Sequence, residues 1–415
     1  MALREWSWDA AVGPAGLGDR PLLEALAAAI PDEAVEAAIV ATGTRERRRR
    51  RLPTRLVVAL VVAMGLWASE ALRHVLAEVV AGWREGAGER VGWRLPSASA
   101  IVRARQRAGA RLSRGLFQAV AGPLATPATP GAFLNGLRLL AVDGTTLDVA
   151  DTPANARAFG RPTTRRGHQV GAFPRVRLVA LIEVGTHALC GAVLRPFRWG
   201  EVPAARRLLR SVGPGMLLRW DRNFPGDQRA RATRARGAHF LGRTKSNVVL
   251  APTGVLADGS FLARVYPTPK ARRHAVDGLA VRVIEYTLDT RAGLGQEVYR
   301  LITSLLDERA FPAEQLAAAS HERWAVETTL DELKVHQWAH PRPLRSQRPR
   351  EVVQAVYGLL RAHLASRTLL QQAARREGPD PDRLSFTGAL RVLRRAIPQA
   401  QRTWPGHFPL FAPTS

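Results

Sequence analysis

Leu137-Arg138-Leu139-Leu140-Ala141-Val142-Asp143-Gly144-Thr145 is the stretch that decides the fold. Its first six residues are apolar except for Arg138, as a strand buried on both faces requires. Such a strand belongs to a sheet covered by helices, which places the chain in the α/β class. Asp143 follows the run and so stands at the expected strand end. A carboxylate there is costly unless it opens a turn, is paired, or holds a cation.

Further along, residues 176–184 and 188–193 read as two strands joined by Gly185-Thr186. Residues 204–212 read as a helix, and 216–220 as a short apolar strand that runs into Asp221. Strand signals recur at 240–241, 248–250, 261–266, 279–288 and 298–305, before long helices at 312–333 and 349–374. On the N-terminal side, Thr126-Pro127-Ala128-Thr129-Pro130-Gly131 reads as a linker. The chain before it is helical in pattern. Pro53 opens an apolar helix through Trp67 that continues to Trp83, and Ser97 or Ser99 caps a helix at 100–110 carrying Arg103, Arg105 and Arg107. That helix is either the basic outer face of a bundle or a DNA-reading element. The expected division is a helical domain at 1–125, an α/β core beginning at 131–238, a β-rich insertion at 239–305, core completion with C-terminal helices at 306–375, and a tail at 376–415.

The 415 residues fit two or three domains, and 46% hydrophobic with 23% charged residues is ordinary globular composition. Lys+Arg 61 against Asp+Glu 35 leaves +26, which points to a polyanionic partner. All but Lys245, Lys270 and Lys334 of those 61 are arginines, and the densest run is 45–51, a solvated loop or a phosphate contact. The single cysteine, Cys190, excludes an internal disulfide framework and a cysteine-based zinc finger, and reads as a core residue. The first residues lack a signal-peptide layout, and the longest apolar run, 56–67, falls short of the ~20 residues that span a bilayer. The expectation is a cytoplasmic protein with no membrane partner.

Two acids therefore stand at expected strand ends, and neighbouring strands would bring Asp143 and Asp221 to one edge of a sheet. Hard carboxylate oxygens of this kind suit Mg²⁺ or Mn²⁺. A third acid lies in the helical sequence Ser320-His321-Glu322-Arg323-Trp324-Ala325-Val326-Glu327, which continues to Lys334. At about 100° per residue, Arg323, Glu327 and Lys334 share one face. That face is either a surface ion-pair ladder or a metal ligand flanked by two phosphate-gripping cations. His336 and His340 are four apart, but no third zinc ligand accompanies them.

Together these residues resemble the DDE transposases of the IS4 type, bacterial insertion-sequence enzymes. Arg323-x3-Glu327-x6-Lys334 reproduces the spacing of the family's Y-x2-R-x3-E-x6-K signature. Val142-Asp143-Gly144-Thr145 is similar to its first-aspartate motif and Trp220-Asp221-Arg222-Asn223-Phe224 to its second. The acids lie 78 and 106 residues apart, which leaves room for a β insertion between the second and third. Arg51-Leu52-Pro53 and Leu344-Arg345-Ser346 carry the likeness towards both ends. The one departure is Ser320, where the family has tyrosine; the phosphate contact that the tyrosine hydroxyl makes is then missing or supplied by a neighbour such as His321.

The resemblance implies an RNase H-like mixed-sheet core and two Mg²⁺ ions, replaceable by Mn²⁺, on Asp143, Asp221 and Glu327. It also implies Arg323 and Lys334 on the phosphates, Tyr299 stacking on a flipped base, and Arg103, Arg105 and Arg107 on DNA. The partners it implies are the element's terminal inverted repeats and target DNA, with a dimer pairing two ends near the bacterial nucleoid. The competing reading is a catalytically decayed, transposase-derived DNA-binding protein.

Overall fold

The computed structural model describes residues 19–48, 50–83, 93–163, 170–220, 227–244, 248–288, 297–321, 324–338 and 342–403. Before any strand come α1 (Asp19–Ala29), α2 (Asp32–Thr42), α3 (Thr54–Leu66), α4 (Leu72–Trp83) and α5 (Ala98–Val120). The single helix expected from Pro53 to Trp83 is two, because Trp67 leaves helical geometry (φ −110°, ψ 56°). Arg345 holds the turn by donating to the carbonyls of Ser69 at 2.5 Å and Glu70 at 3.2 Å. In α5, Ser97 caps the N-terminus through Ala100 N–H. Gly109 breaks the helix at φ 72°, a conformation that favours glycine.

A short β1 (Phe133–Leu134) pairs antiparallel with the start of β2 (Leu137–Asp148). After α6 (Pro153–Phe159) come β3 (Arg175–Glu183) and β4 (Leu189–Pro196), then α7 (Glu201–Leu208), β5 (Met216–Trp220), α8 (Asp227–Arg234) and β6 (His239–Arg243). β4, β3 and β2 form an antiparallel meander, and β5 and β6 join on the far side of β2, both parallel. The order β4-β3-β2-β5-β6 with those directions is the RNase H-like arrangement. The β3–β4 turn requires Gly185 (φ 84°), because a Cβ there would come within 2.6 Å of the Pro130 carbonyl.

β7 (Gly254–Val255), β8 (Phe261–Val265), β9 (Leu279–Leu288) and β10 (Glu297–Thr303) continue the same sheet in the order β6-β10-β9-β8-β7. They are antiparallel, with α9 (Pro269–Arg273) between β8 and β9. Residues 248–250 form no strand; Val249 is exposed, so the apolar run there does not mark a buried element. α10 (Ala313–His321) and α11 (Trp324–Asp331) follow, then a π turn at Glu332–Gln337, α12 (Pro349–Glu377) and α13 (Phe386–Thr403).

Alternation along β2 sorts the core. Leu139, Ala141 and Leu147, with Val149 just past the strand, face the layer containing Leu330 of α11, Leu333 of the π turn and Val356 of α12. Leu140 and Val142 face Ala204, Ala205 and Leu208 of α7 and Ala230 of α8. Among the described residues no helix is long and apolar enough to cross a membrane.

The N-terminal helices and α12 meet by close backbone approach. A Cβ on Gly358 would lie 2.0 Å from the Val61 carbonyl of α3, and one on Gly65 would lie 2.8 Å from Ala362 Cβ. In an open helix Gly→Ala gains up to about 1 kcal/mol. Here the sign reverses: Gly358→Ala is expected to cost about 1–3 kcal/mol by overpacking, seen as a lower thermal midpoint.

Candidate catalytic site

Asp143 is in the middle of β2, not at its end as the sequence suggests. β3 stays paired with β2 out to Asp148↔Arg175, and this keeps the backbone extended beyond Gly144. The strand that stops beside Asp143 is β5, whose last register pair is Trp220↔Val142. Asp143 is half-exposed beside the end of β5. Its Oδ1 accepts from Gly144 N–H at 2.7 Å.

By strand alternation Asp143 shares the sheet face of Ala141 and Leu139. This is the face on which α11 packs against β2. Glu327 lies on α11, between Trp324 and Asp331, so its backbone belongs to that layer; its side chain is outside the described residues, as are Asp221 and Arg323. Among the described residues no three His, Cys, Asp or Glu side chains stand close enough to hold a metal ion.

On the opposite face, Glu201 at the start of α7 closes against Gly144, where a Cβ would meet its carboxylate carbon at 3.0 Å. It pairs with Arg177 on β3. Sequence reasoning did not single out this carboxylate, because only folding brings it to the residue after Asp143.

Arg219 on β5 is buried and donates from Nη2 to the Ser320 carbonyl at 2.9 Å. This ties the C-terminal half of β5 to the end of α10, just ahead of α11. Ser320 also hydrogen-bonds through its side chain with Tyr286 of β9. A phenol hydroxyl thus stands beside the serine that occupies the family's tyrosine position, supplied by another strand. Burial raises the Tyr286 phenol pKa against the opposing effects of the Ser320 hydrogen bond and Arg243. No local sequence signal marks Tyr286; cross-strand register puts it there, opposite Tyr299.

Tyr299 is half-buried and stacks on Tyr286 with ring centroids 5.4 Å apart. On the other side of β10, the Arg243 guanidinium sits 4.0 Å from the Tyr299 ring centroid. Lys334 is half-exposed on the π turn.

The three N-terminal arginines separate. Arg105 is 2% exposed and turned inward, donating to Ser346 Oγ at 3.3 Å and to the Glu351 carbonyl at 3.0 Å. It cannot face DNA in this structure and instead joins α5 to α12, which corrects the sequence expectation for that residue. Arg103 and Arg107 are exposed. Arg107 reaches the Leu52 carbonyl at 3.4 Å, and its pKa is lowered by burial and by the neighbouring charges of Arg50 and Arg103. Like charges held this close form a patch suited to a polyanion.

Residues 20–118 match the family profile described as insertion element 4 transposase N-terminal, and 134–365 match the transposase DDE domain. The chain is 28% identical over 387 residues to the transposase InsG for insertion sequence element IS4 of Escherichia coli (strain K12), covering 91% of this chain and 83% of that protein. It is 29% identical over 204 residues to the putative transposase InsZ of the same strain, covering 49% and 65%. A cryo-EM structure of a piggyBac transposase synaptic complex with hairpin DNA has a TM-score of 0.46 and 11% identity, covering 95% of this chain and 82% of that one. With the DDE profile spanning more than half of its length over an RNase H-like sheet, the chain belongs to the IS4 family of DDE transposases and is a DNA transposase.

Proposed function

We propose that the enzyme cuts and joins the ends of an insertion sequence, with Asp143, Asp221 and Glu327 as its carboxylate triad. The observation that carries this reading is the setting of Asp143, half-exposed beside the end of β5 and on the sheet face that α11 covers. Enzymes of this family depend on divalent metal, and a site of hard carboxylate oxygens fits Mg²⁺, with Mn²⁺ as its substitute. Two such ions, when bound, would activate the attacking oxygen and stabilise the leaving one.

The chain's own residues do the rest. Arg323 and Lys334 hold phosphates of the strand being cut, offsetting charge that the carboxylates would otherwise repel. Tyr286 supplies a hydroxyl beside Ser320, and the stacked Tyr286–Tyr299 pair offers an aromatic surface to an unstacked base. Arg103 and Arg107, with Arg50, position the terminal inverted repeat through its backbone. A dimer pairs the two ends and delivers them to target DNA in the bacterial cytoplasm, at the nucleoid.

The test uses purified protein, Mg²⁺ and a duplex carrying the ends of the encoding element. Cleavage at the element boundary and joined target products are the expected result. Binding without either product refutes the reading. For the N-terminal patch, the Arg103→Ala/Arg107→Ala double variant is expected to lower the salt slope of binding by about 2, one unit per lost phosphate contact. Fluorescence anisotropy across a salt series measures it.

A further inference from the structure

The helix that carries Glu327 widens to a π turn at Glu332–Gln337, where Trp338 N–H donates to the Leu333 carbonyl at 3.2 Å. The residue types explain the change. Leu333 and Trp338 both enter the core against the sheet, and Glu332 and Gln337 both turn towards α12. Members of each pair are five residues apart. In an α-helix they would point about 140° away from each other, whereas a π turn, bonded i to i+5, brings them into line.

Both ends of the turn are fixed. Glu332 Oε2 accepts from Arg367 Nε at 3.0 Å and lies 3.1 Å from His363 Nε2, while Oε1 is 3.4 Å from His187 Nδ1. Gln337 Nε2 donates to the Leu359 carbonyl of α12 at 2.8 Å and to the Gly65 carbonyl of α3 at 3.2 Å. Between these buried anchors, Lys334, Val335 and His336 are the residues that reach the surface. In a continuous α-helix Lys334 would return to within about 20° of Glu327 after seven residues. The wider turn sets it back from that line, so the anchors decide where its ammonium group goes.

We propose that Glu332 and Gln337 are positioning residues that clamp the π turn and thereby aim Lys334 at a DNA phosphate. The proposal rests on the reading of Lys334 as a phosphate contact, and its test separates the two. A fluorescein-labelled duplex carrying one end of the encoding element is titrated in EDTA over a salt series. The proteins compared are the wild type, Lys334→Ala, Glu332→Gln, Gln337→Met, and each clamp variant combined with Lys334→Ala. Lys334→Ala is expected to lower the salt slope by about 1. Each folded clamp variant is expected to lose the same contact and weaken binding severalfold, with no further loss in the Lys334→Ala background.

A general loss of structure would not remove one phosphate contact selectively, and Gln337→Met keeps the test open if Glu332→Gln fails to fold. Wild-type slopes in folded clamp variants, or losses that multiply with Lys334→Ala, overturn the clamp alone. A wild-type slope in Lys334→Ala overturns the phosphate reading and the clamp's role with it.

Discussion

Asp143→Asn and Glu327→Gln proteins are expected to bind element-end DNA at least as tightly as the wild type while cleaving it at least about 10³-fold more slowly, the scale on which loss of one member of a catalytic unit is felt. The two halves of this result have separate causes. Each substitution keeps the side chain's size but removes a negative charge facing phosphate, so binding holds or improves. Each also removes an anionic oxygen ligand, so the cation that would activate the attacking group is lost. Asp143 is half-exposed in mid-strand, flanked by β3 throughout, and the amide in its place leaves the backbone pairing with Ala180 unaltered. Parallel gel-shift and cleavage assays on one preparation measure both quantities. Equal loss of binding and cleavage would indicate structural damage, and undiminished cleavage would remove Asp143 from the site.

The second large effect concerns stability. Glu332→Ala is expected to cost about 3–5 kcal/mol, because it leaves the buried Arg367 guanidinium without its carboxylate. Burial alone would raise the Glu332 pKa; Arg367, with His187 and His363, instead holds it far below the ordinary carboxylate range. A carboxylate depressed in the folded state adds stability above its unfolded pKa of about 4.3 and loses it as pH falls further. His363, wholly buried, has its pKa lowered chiefly by burial, against the hydrogen bond to Glu332. The unfolded chain then takes up a proton below about pH 6.5 that the folded chain resists, so stability again falls on acidification. The expected profile is a thermal midpoint that declines from about pH 6.5 and steepens near pH 4, with the lower limb missing in Glu332→Gln. Melts across that range check it, and a midpoint that rose on acidification would contradict the network's assigned charges.

The positions of the core strands depend on signals that are local, and these were legible. The run through Val142, the Gly185-Thr186 turn and the short strand Met216–Trp220 recur in the structure, although β2 continues past Asp143 to Asp148. The likeness to the IS4 enzymes was carried by short motifs and the spacing within them, which survive wherever loops move. What escaped depends on partners distant in sequence. The break after Leu66 is held by Arg345, 275 residues away from Glu70. Arg105 reads as one of three exposed arginines on a single helix, yet α12 covers it. The pairing of Tyr286 with Ser320 follows from strand register, and the π turn from a five-residue spacing easily mistaken for helical noise. For the site itself, the sequence supplies Asp143, Asp221 and Glu327, and the fold places Asp143 on the sheet face that α11 covers.

Convergence of those three acids on divalent metal is the claim everything else serves. Anomalous diffraction from a crystal soaked in Mn²⁺ addresses it most directly. The expected map has manganese within coordination distance of carboxylate oxygens from Asp143, Asp221 and Glu327 together. Manganese bound elsewhere while the Asp143 carboxylate holds no ion, or a Glu327 side chain directed away from β2, would contradict it.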